Sequence, residues 1–271
     1  MNVQPNLRKL KPADVPAAFA LSTEAGWNQT TDDWRLLLEF APDGCFGIEV
    51  DDELVSTATL VNYGQELAWI GMVLTRESFR GRGLAKRLLS ELIRTADESG
   101  IRCVKLDATE QGQPLYEQLG FRSEQTVERW HTSSPLIPAT PQPFGGLSPQ
   151  SLDTDLRAFG VDRSTLLHRL ATTSQLSATD TSFVMTRPGR LCNYLGPCVA
   201  DDPAIARTLI SGALGESSEW YWDLLPANLS AVQMAREFGF SPKRRLLRMV
   251  RGAELRGDER NIYALTGFEL G

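Results

Sequence analysis

Histidine and cysteine are scarce in this chain: two histidines, His131 and His168, and four cysteines, Cys45, Cys103, Cys192 and Cys198, among 271 residues. No two cysteines form a Cys-x-x-Cys pair, neither histidine stands at ligand spacing from them, and the cysteines mostly fall in apolar, strand-like runs. A zinc centre and a disulfide framework are therefore not expected, no metal is expected, and the thiols are read as reduced packing residues. No apolar run approaches the ~18 residues that cross a bilayer, and no basic-then-apolar leader opens the chain, so the expectation is a cytoplasmic protein without a membrane partner. Positive charge is also in short supply. The 28 Lys and Arg stand against 34 Asp and Glu, a net charge of −6 without a basic tail, which argues against nucleic acid as a partner. The local cluster Lys243, Arg244, Arg245, Arg248 and Arg251 fits either a binding patch or the polar face of a strand pair, and its spacing favours the solvated face.

What is present is enough chain for about two average domains, each able to bury a core without staples. Residues 3–10 read as a strand and 12–25 as a helix; Trp34, Leu37 and Leu38 mark a second helix capped by Thr31 or Asp32. Residues 45–50 and 54–61 alternate as a hairpin around Asp51-Asp52, leading into a strand at 67–75. A helix at 84–99, a strand at 103–107, a short helix at 113–119 and strands through Trp130 follow. The whole predicts an α/β fold, a mixed sheet with helices on both faces. From 132 to 151 the composition changes: Pro135, Pro138, Pro141, Pro143 and Pro149 accompany Gly145 and Gly146, which reads as a semi-extended linker between domains at 1–131 and 152–271.

The most informative stretch is Arg80-Gly81-Arg82-Gly83-Leu84-Ala85, between the apolar run 69–74 and the amphipathic helix. A strand, a glycine-bearing loop and a helix start leave backbone amides free to face an anion, on the positive end of the helix dipole. Gly81 and Gly83 permit positive φ and close approach, and Arg80, Arg82 and Lys86 add positive charge. There is no third glycine and no acidic residue at the distance a dinucleotide site requires. The stretch resembles the acyl-CoA signature of the GNAT superfamily of N-acetyltransferases, Gln/Arg-x-x-Gly-x-Gly/Ala, which Arg80, Gly83 and Ala85 match without a gap. A second resemblance is Asp107 to Phe121, which ends in Leu115-Tyr116-Glu117-Gln118-Leu119-Gly120-Phe121 and is similar to the family's strand, loop and helix.

The resemblance covers about the first 130 residues and implies acetyl-CoA as cosubstrate. Met72, Val73 and Leu74 would offer backbone groups to the pantetheine arm, and Arg80, Gly81, Arg82, Gly83, Leu84 and Ala85 would hold the pyrophosphate. Thr109 and Tyr116 would line the same channel. Tyr116 stands where family members supply a proton to the leaving thiolate, although a tyrosine there also packs well. The attacking amine must first lose a proton; Asp107, Glu110 and Glu66 are carboxylates near the expected cleft, and the residues single out none of them. Trp27 and Asn28, in the loop joining the first two helices, and Tyr63 are candidate acceptor contacts, with Trp27 better suited to a core and Asn28 the better candidate of the loop. The implied function is transfer of an acetyl group to a primary amine of a small-molecule acceptor; the alternatives are an acyl-CoA sensor or scaffold without turnover, and transfer of a longer acyl group into room left by Gly71 and Gly112.

The second half contains an internal repeat. Asn228 to Phe240 aligns with Thr109 to Phe121 at a constant offset of 119 residues. Tyr194-Leu195-Gly196-Pro197 echoes Trp69-Ile70-Gly71-Met72, but the loop that follows carries Asp201 and Asp202 in place of glycines, which would repel pyrophosphate. Overall the chain resembles tandem-GNAT acetyltransferases whose second, partial GNAT-like half has lost the cofactor loop. A second half of this kind would cover the surface that other members use to dimerise, so a monomer is expected.

Overall fold

The computed structural model describes residues 4–136, 145–214 and 219–271. The first half runs β1 (Asn6–Lys9), α1 (Val15–Glu24), α2 (Thr31–Phe40), β2 (Cys45–Val50), β3 (Glu53–Tyr63), β4 (Leu67–Thr75), α3 (Leu84–Glu98), β5 (Cys103–Ala108), α4 (Gln113–Gln118) and β6 (Arg122–Thr132). The second runs α5 (Pro149–Phe159), α6 (Ser164–Ala171), β7 (Gln175–Ala178), β8 (Phe183–Arg187), β9 (Asn193–Val199), α7 (Pro203–Ala213), β10 (Trp220–Leu224), α8 (Leu229–Glu237), β11 (Ser241–Gly252) and β12 (Ile262–Ala264).

Most boundaries follow the local signals. Asp51 and Asp52 both take positive φ, as a tight hairpin turn requires. The cap of α2 is Thr30 rather than Thr31 or Asp32: its hydroxyl accepts the Asp33 N–H, and the Asp33 carboxylate accepts the Thr30 N–H in return, a reciprocal box that fixes the start one residue earlier. The stretch taken as linker ends early, because Ser148 caps α5 and Pro149 suits its first turn. Pro138, Pro141 and Pro143 lie outside the described residues.

The two halves are not separate bodies. Their strands form one sheet in the order β1-β2-β3-β4-β5-β11-β6-β10-β9-β8-β7, with β12 pairing β9. Each half gives its last long strand to the other: β11 pairs antiparallel with β5, and β6 pairs antiparallel with β10, while β6 and β11 pair with each other at the centre. The exchange is fastened by two matching buried ion pairs. Arg248 of β11 donates two hydrogen bonds to Asp107 of β5, at 2.9 and 3.1 Å, and Arg129 of β6 donates two to Asp223 of β10, at 2.7 and 2.6 Å. The cation cluster of β11 divides: Lys243, Arg244 and Arg245 are exposed, as a solvated face requires, with Arg245 paired to Glu128, whereas Arg248 is buried in its clasp and the half-buried Arg251 pairs with Asp97.

One face of the sheet packs against α3, whose Leu84, Leu88, Leu89, Leu92 and Ala96 recur at helical spacing, and, in the second half, against α7 and α8. The opposite face is covered by α1, α2, α5 and α6, around Trp34, Trp69, Leu166 and Phe183. All four cysteines are buried and free. Among the described residues no helix is long and apolar enough to cross a membrane.

Candidate active site

β4 and β5 are in parallel register from Leu67 opposite Cys103 to Ile70 opposite Leu106, and then part. At the parting β4 bulges: Thr59 faces Gly71 and Thr57 faces Leu74, so Met72 and Val73 together oppose one residue of β3. Met72 takes φ of 49°, a left-handed conformation uncommon for a residue with a side chain. The carbonyls turned out of register are held by β3: the Thr57 hydroxyl donates to Met72 O at 2.9 Å and the Ser56 hydroxyl to Leu74 O at 2.6 Å. A cleft of about 740 Å³ opens at this point, within the range of small-molecule sites.

One end of the cleft is the loop before α3. Gly81 and Gly83 have φ of 74° and 77°, and a Cβ on either would meet nothing within 4 Å. They are glycines because of backbone conformation, and the space before them is open. Gly83 caps α3 without a side chain, so the amides of Leu84, Ala85 and Lys86 keep their capacity for an anion. Arg80 and Lys86 line the cleft. Arg82 does not: it donates to Ser78 O at 3.0 Å and lies over the Phe79 ring. The residues present fit a pyrophosphate here, and the parted strands fit an extended arm.

Met72, Val73, Leu74, Thr109 and Tyr116 also line the cleft. The Thr109 hydroxyl accepts the Gly112 N–H at 3.1 Å, which closes the turn into α4. Tyr116 packs edge-on to Phe121. Its hydroxyl has no hydrogen-bond partner among the described residues, and burial pushes its pKa up to about 12.

The other predicted site residues divide. Trp27 lines the cleft. Asn28 lines it too, but is buried, and its side chain is consumed in joining the halves: its carbonyl accepts the N–H groups of Leu191 and Cys192 at 2.8 and 3.0 Å, and its amide donates to Cys192 O at 3.0 Å. Tyr63 is away from the cleft, with its hydroxyl donating to Leu270 O and its ring against Phe159. Asp107 reaches the cleft wall, yet both its oxygens are taken by Arg248. Glu110 is exposed and outside the cleft lining, and Glu66 is an exposed partner of Arg102. The two glycines that would leave room for a longer acyl group are filled by neighbours: a Cβ on Gly112 would stand 2.9 Å from the Tyr116 ring, and one on Gly71 would stand 2.7 Å from the Cα of Glu269.

Comparison with known proteins agrees with this geometry over both halves. A model of the acetyltransferase (GNAT) family matches residues 15–121, and a model of a GNAT acetyltransferase domain matches residues 152–264. The chain belongs to the GNAT acetyltransferase family, in tandem form. It is 26% identical over 260 residues to an uncharacterized N-acetyltransferase of Bacillus subtilis, YitH, covering 89% of each chain. It is 24% identical over 261 residues to the holothin acyltransferase of a Pseudoalteromonas species, covering 90% of this chain and 87% of that one. Among solved structures, a provisionally assigned acetyltransferase of Pyrococcus horikoshii superposes with a TM-score of 0.88 at 22% identity, covering 98% of this chain and 96% of the other. Acyl transfer is the activity class these matches support.

The second GNAT half repeats the first and closes what the first leaves open. Asn228 caps α8 as Thr109 does the turn into α4, and Phe240 N–H returns to Ala235 O as Phe121 N–H returns to Tyr116 O. Asp202, however, caps α7 with its own carboxylate, accepting from Ala204 N and Ile205 N at 2.7 and 3.3 Å. The anion position is thus filled by the chain itself, beyond the repulsion expected from the sequence. The gap between β9 and β10 is also occupied, because β12 pairs with β9 and Leu265 N–H donates to Asp223 O at 2.8 Å.

From there residues 265–271 cross into the first half's cleft. Trp69 Nε1 donates to Phe268 O at 2.9 Å, and Glu269 lies over Gly71. Glu269 is buried; its carboxylate accepts from Gln29 Nε2 at 3.1 Å and lies 3.8 Å from Arg187. Burial raises its pKa above the ordinary carboxylate value, with Arg187 pulling the other way. Arg129, Tyr221, Lys243, Arg244 and Leu246 complete the wall. None of these was recognisable as a site residue from sequence; the one available signal was the cation cluster on β11.

His131, Cys192 and Glu219 bring donor atoms within 4.8 Å of one another, a grouping invisible in their spacing. Its contacts are hydrogen bonds to the Glu219 carboxylate, from His131 at 3.3 Å and from the Cys192 thiol at 3.4 Å.

Proposed function

We propose that the protein transfers an acetyl group from acetyl-CoA to a primary amine of a small-molecule acceptor, by direct attack of the amine on the thioester. The observation that carries this reading is the placement of Tyr116 and Glu269 on one cleft, at the parting of β4 and β5, with an uncapped helix N-terminus at its other end.

In this reading the amides of α3 with Arg80 and Lys86 hold the pyrophosphate, and the arm lies along Met72 to Leu74 as an added strand would. An amide of the bulge faces the carbonyl oxygen and stabilises the negative charge that develops on it. A free alkylammonium of pKa ~10.4 is neutral only about once in two thousand at pH 7, so removal of its proton needs a base. Glu269 takes that proton: its raised pKa brings it nearer to neutrality, where a general base is most effective. Nitrogen bonds to the acyl carbon, the carbon–sulfur bond breaks, and Tyr116 gives its phenolic proton to the departing thiolate; the second proton shed by the nitrogen as the amide forms replaces it by way of solvent, and Glu269 releases the first to solvent. Asp107, held by Arg248, positions β5 and is not the base.

A sensor without turnover would have no use for a buried carboxylate and a partnerless tyrosine hydroxyl lining the same cleft. The protein acts as a monomer in this reading, since residues of the same chain complete the cleft. Calorimetric titration of acetyl-CoA into the wild type and a Gly83→Glu variant tests it. One site per chain, lost in the variant, is expected; no binding by the wild type would overturn it.

A further inference from the structure

The cations of β11 and of its neighbour β6 are not equally satisfied. Arg248 is matched by Asp107, Arg129 by Asp223, Arg245 by Glu128 and Arg251 by Asp97. Lys243 donates to a neutral group, the Tyr221 hydroxyl, at 3.0 Å. The Arg244 guanidinium has no hydrogen bond or ion pair among the described residues, although the carboxylate-rich chain offers partners to its neighbours. Both Lys243 and Arg244 line the cleft.

Their position is on the acceptor side. Arg244 is in register with Arg129, whose guanidinium lies 4.6 Å from the Phe268 ring centre, and Phe268 is the neighbour of Glu269. Leu246, two residues along β11, packs with Trp69 and Met72 on the sheet face opposite α3, so these cations stand apart from the pyrophosphate cradle. An alkylammonium entering past two cations is repelled. The same molecule is drawn in if it also carries a negative group that meets the guanidinium, and its amine is then directed inward toward Glu269. A planar guanidinium with free donors is suited to a carboxylate or a phosphate, which it can hold by two parallel hydrogen bonds.

We propose that the acceptor is a small amine that also bears an anionic group, carboxylate or phosphate, and that Arg244, with Lys243 beside it, receives that group at the mouth of the cleft. This rests on the reading of the cleft as an acyl-transfer site, and its test is separable from that reading because it begins with binding alone. Matched probes are titrated into the full-length protein saturated with coenzyme A: 2-aminoethyl phosphate against ethanolamine, and 4-aminobutyrate against butylamine. The same titrations are made on Arg244→Ala and Arg244→Lys. At least one anionic probe is expected to bind about tenfold or more tightly than its neutral twin, as a charge-assisted pair allows. Arg244→Ala abolishes that ratio and Arg244→Lys restores part of it. Preference for the phosphate or the carboxylate probe tells which group the site takes. Equal binding of the twins, absence of binding by both anionic probes, or a ratio unchanged in Arg244→Ala would overturn the proposal. Thiol release from acetyl-CoA with the same probes reports separately on acyl transfer: turnover of neutral amines with no anionic preference would sink this inference and leave the enzyme reading standing.

Discussion

Glu269 is seated on Gly71 so closely that a Cβ on the glycine would stand 2.7 Å from the Glu269 Cα and 2.8 Å from its carbonyl oxygen. The contact joins the bulged strand of the first half to a segment of the second. Gly71→Ala is expected to displace residues 268–270, at a cost of about 1–3 kcal/mol for overpacking, and to lower acyl transfer while acetyl-CoA binding survives. Thermal melting with parallel binding and rate measurements checks this; an unchanged rate would show that the seat of Glu269 is unimportant.

The pH dependence follows from the direction of the Glu269 shift. Burial raises its pKa above 4.5, and the base works only when ionised, so kcat/KM should rise with pH along a limb displaced above the ordinary carboxylate range. Stability should move oppositely. A carboxyl whose folded pKa is raised binds a proton more readily in the folded chain, so it favours folding when neutral and loses that contribution as pH rises through the folded value. Glu269→Gln should remove both the acid limb and that part of the pH-dependent stability.

Tyr116→Phe should reduce kcat by about 10²–10⁴, the range of general acid catalysis, and leave the melting temperature nearly unchanged because the hydroxyl has no partner to lose. With the phenol pushed up to about 12, it stays protonated through the working range, and the wild type should show no alkaline fall from this group below pH about 10. Equal kcat in the phenylalanine variant would assign the tyrosine to packing.

Breaking the strand exchange should be costly. Asp107→Asn or Asp223→Asn leaves a buried guanidinium without its counter-charge, and about 3–5 kcal/mol is expected from either, read by urea unfolding. A loss below 1 kcal/mol would mean that the paired strands hold without these clasps.

The cradle was legible because its signals are local: a glycine's φ, a helix start and an apolar strand within twenty residues. The repeat was legible for the same reason, since Asn228 and Thr109 close similar turns by similar hydrogen bonds. The acceptor wall was legible only at the loop of Trp27 and Asn28. Asn28 offered the polarity of a binding loop, but its partners stand 164 residues away at Cys192, and no spacing rule reaches that far. Asp107 stood among three candidate bases with nothing to separate them, because nothing near it in sequence announced Arg248. The exchange of β6 and β11 was hidden too, because each strand has the pattern to close its own half, and the choice of neighbour depends on the packing of the whole sheet. Glu269 gave no signal apart from its charge, since it acquires its burial and its place over Gly71 only through the path of residues 265–271.

The most direct measurement is the rate of thiol release by Glu269→Gln, compared with the wild type at saturating acetyl-CoA and a turned-over amine, with acetyl-CoA affinity measured on the same samples. A second half that supplies the base for the first half's cleft requires unchanged acetyl-CoA affinity and a fall in kcat of about 10² or more near neutral pH, diminishing for acceptors of lower amine pKa. Wild-type turnover by the variant would contradict the account and return the second half to a purely structural part.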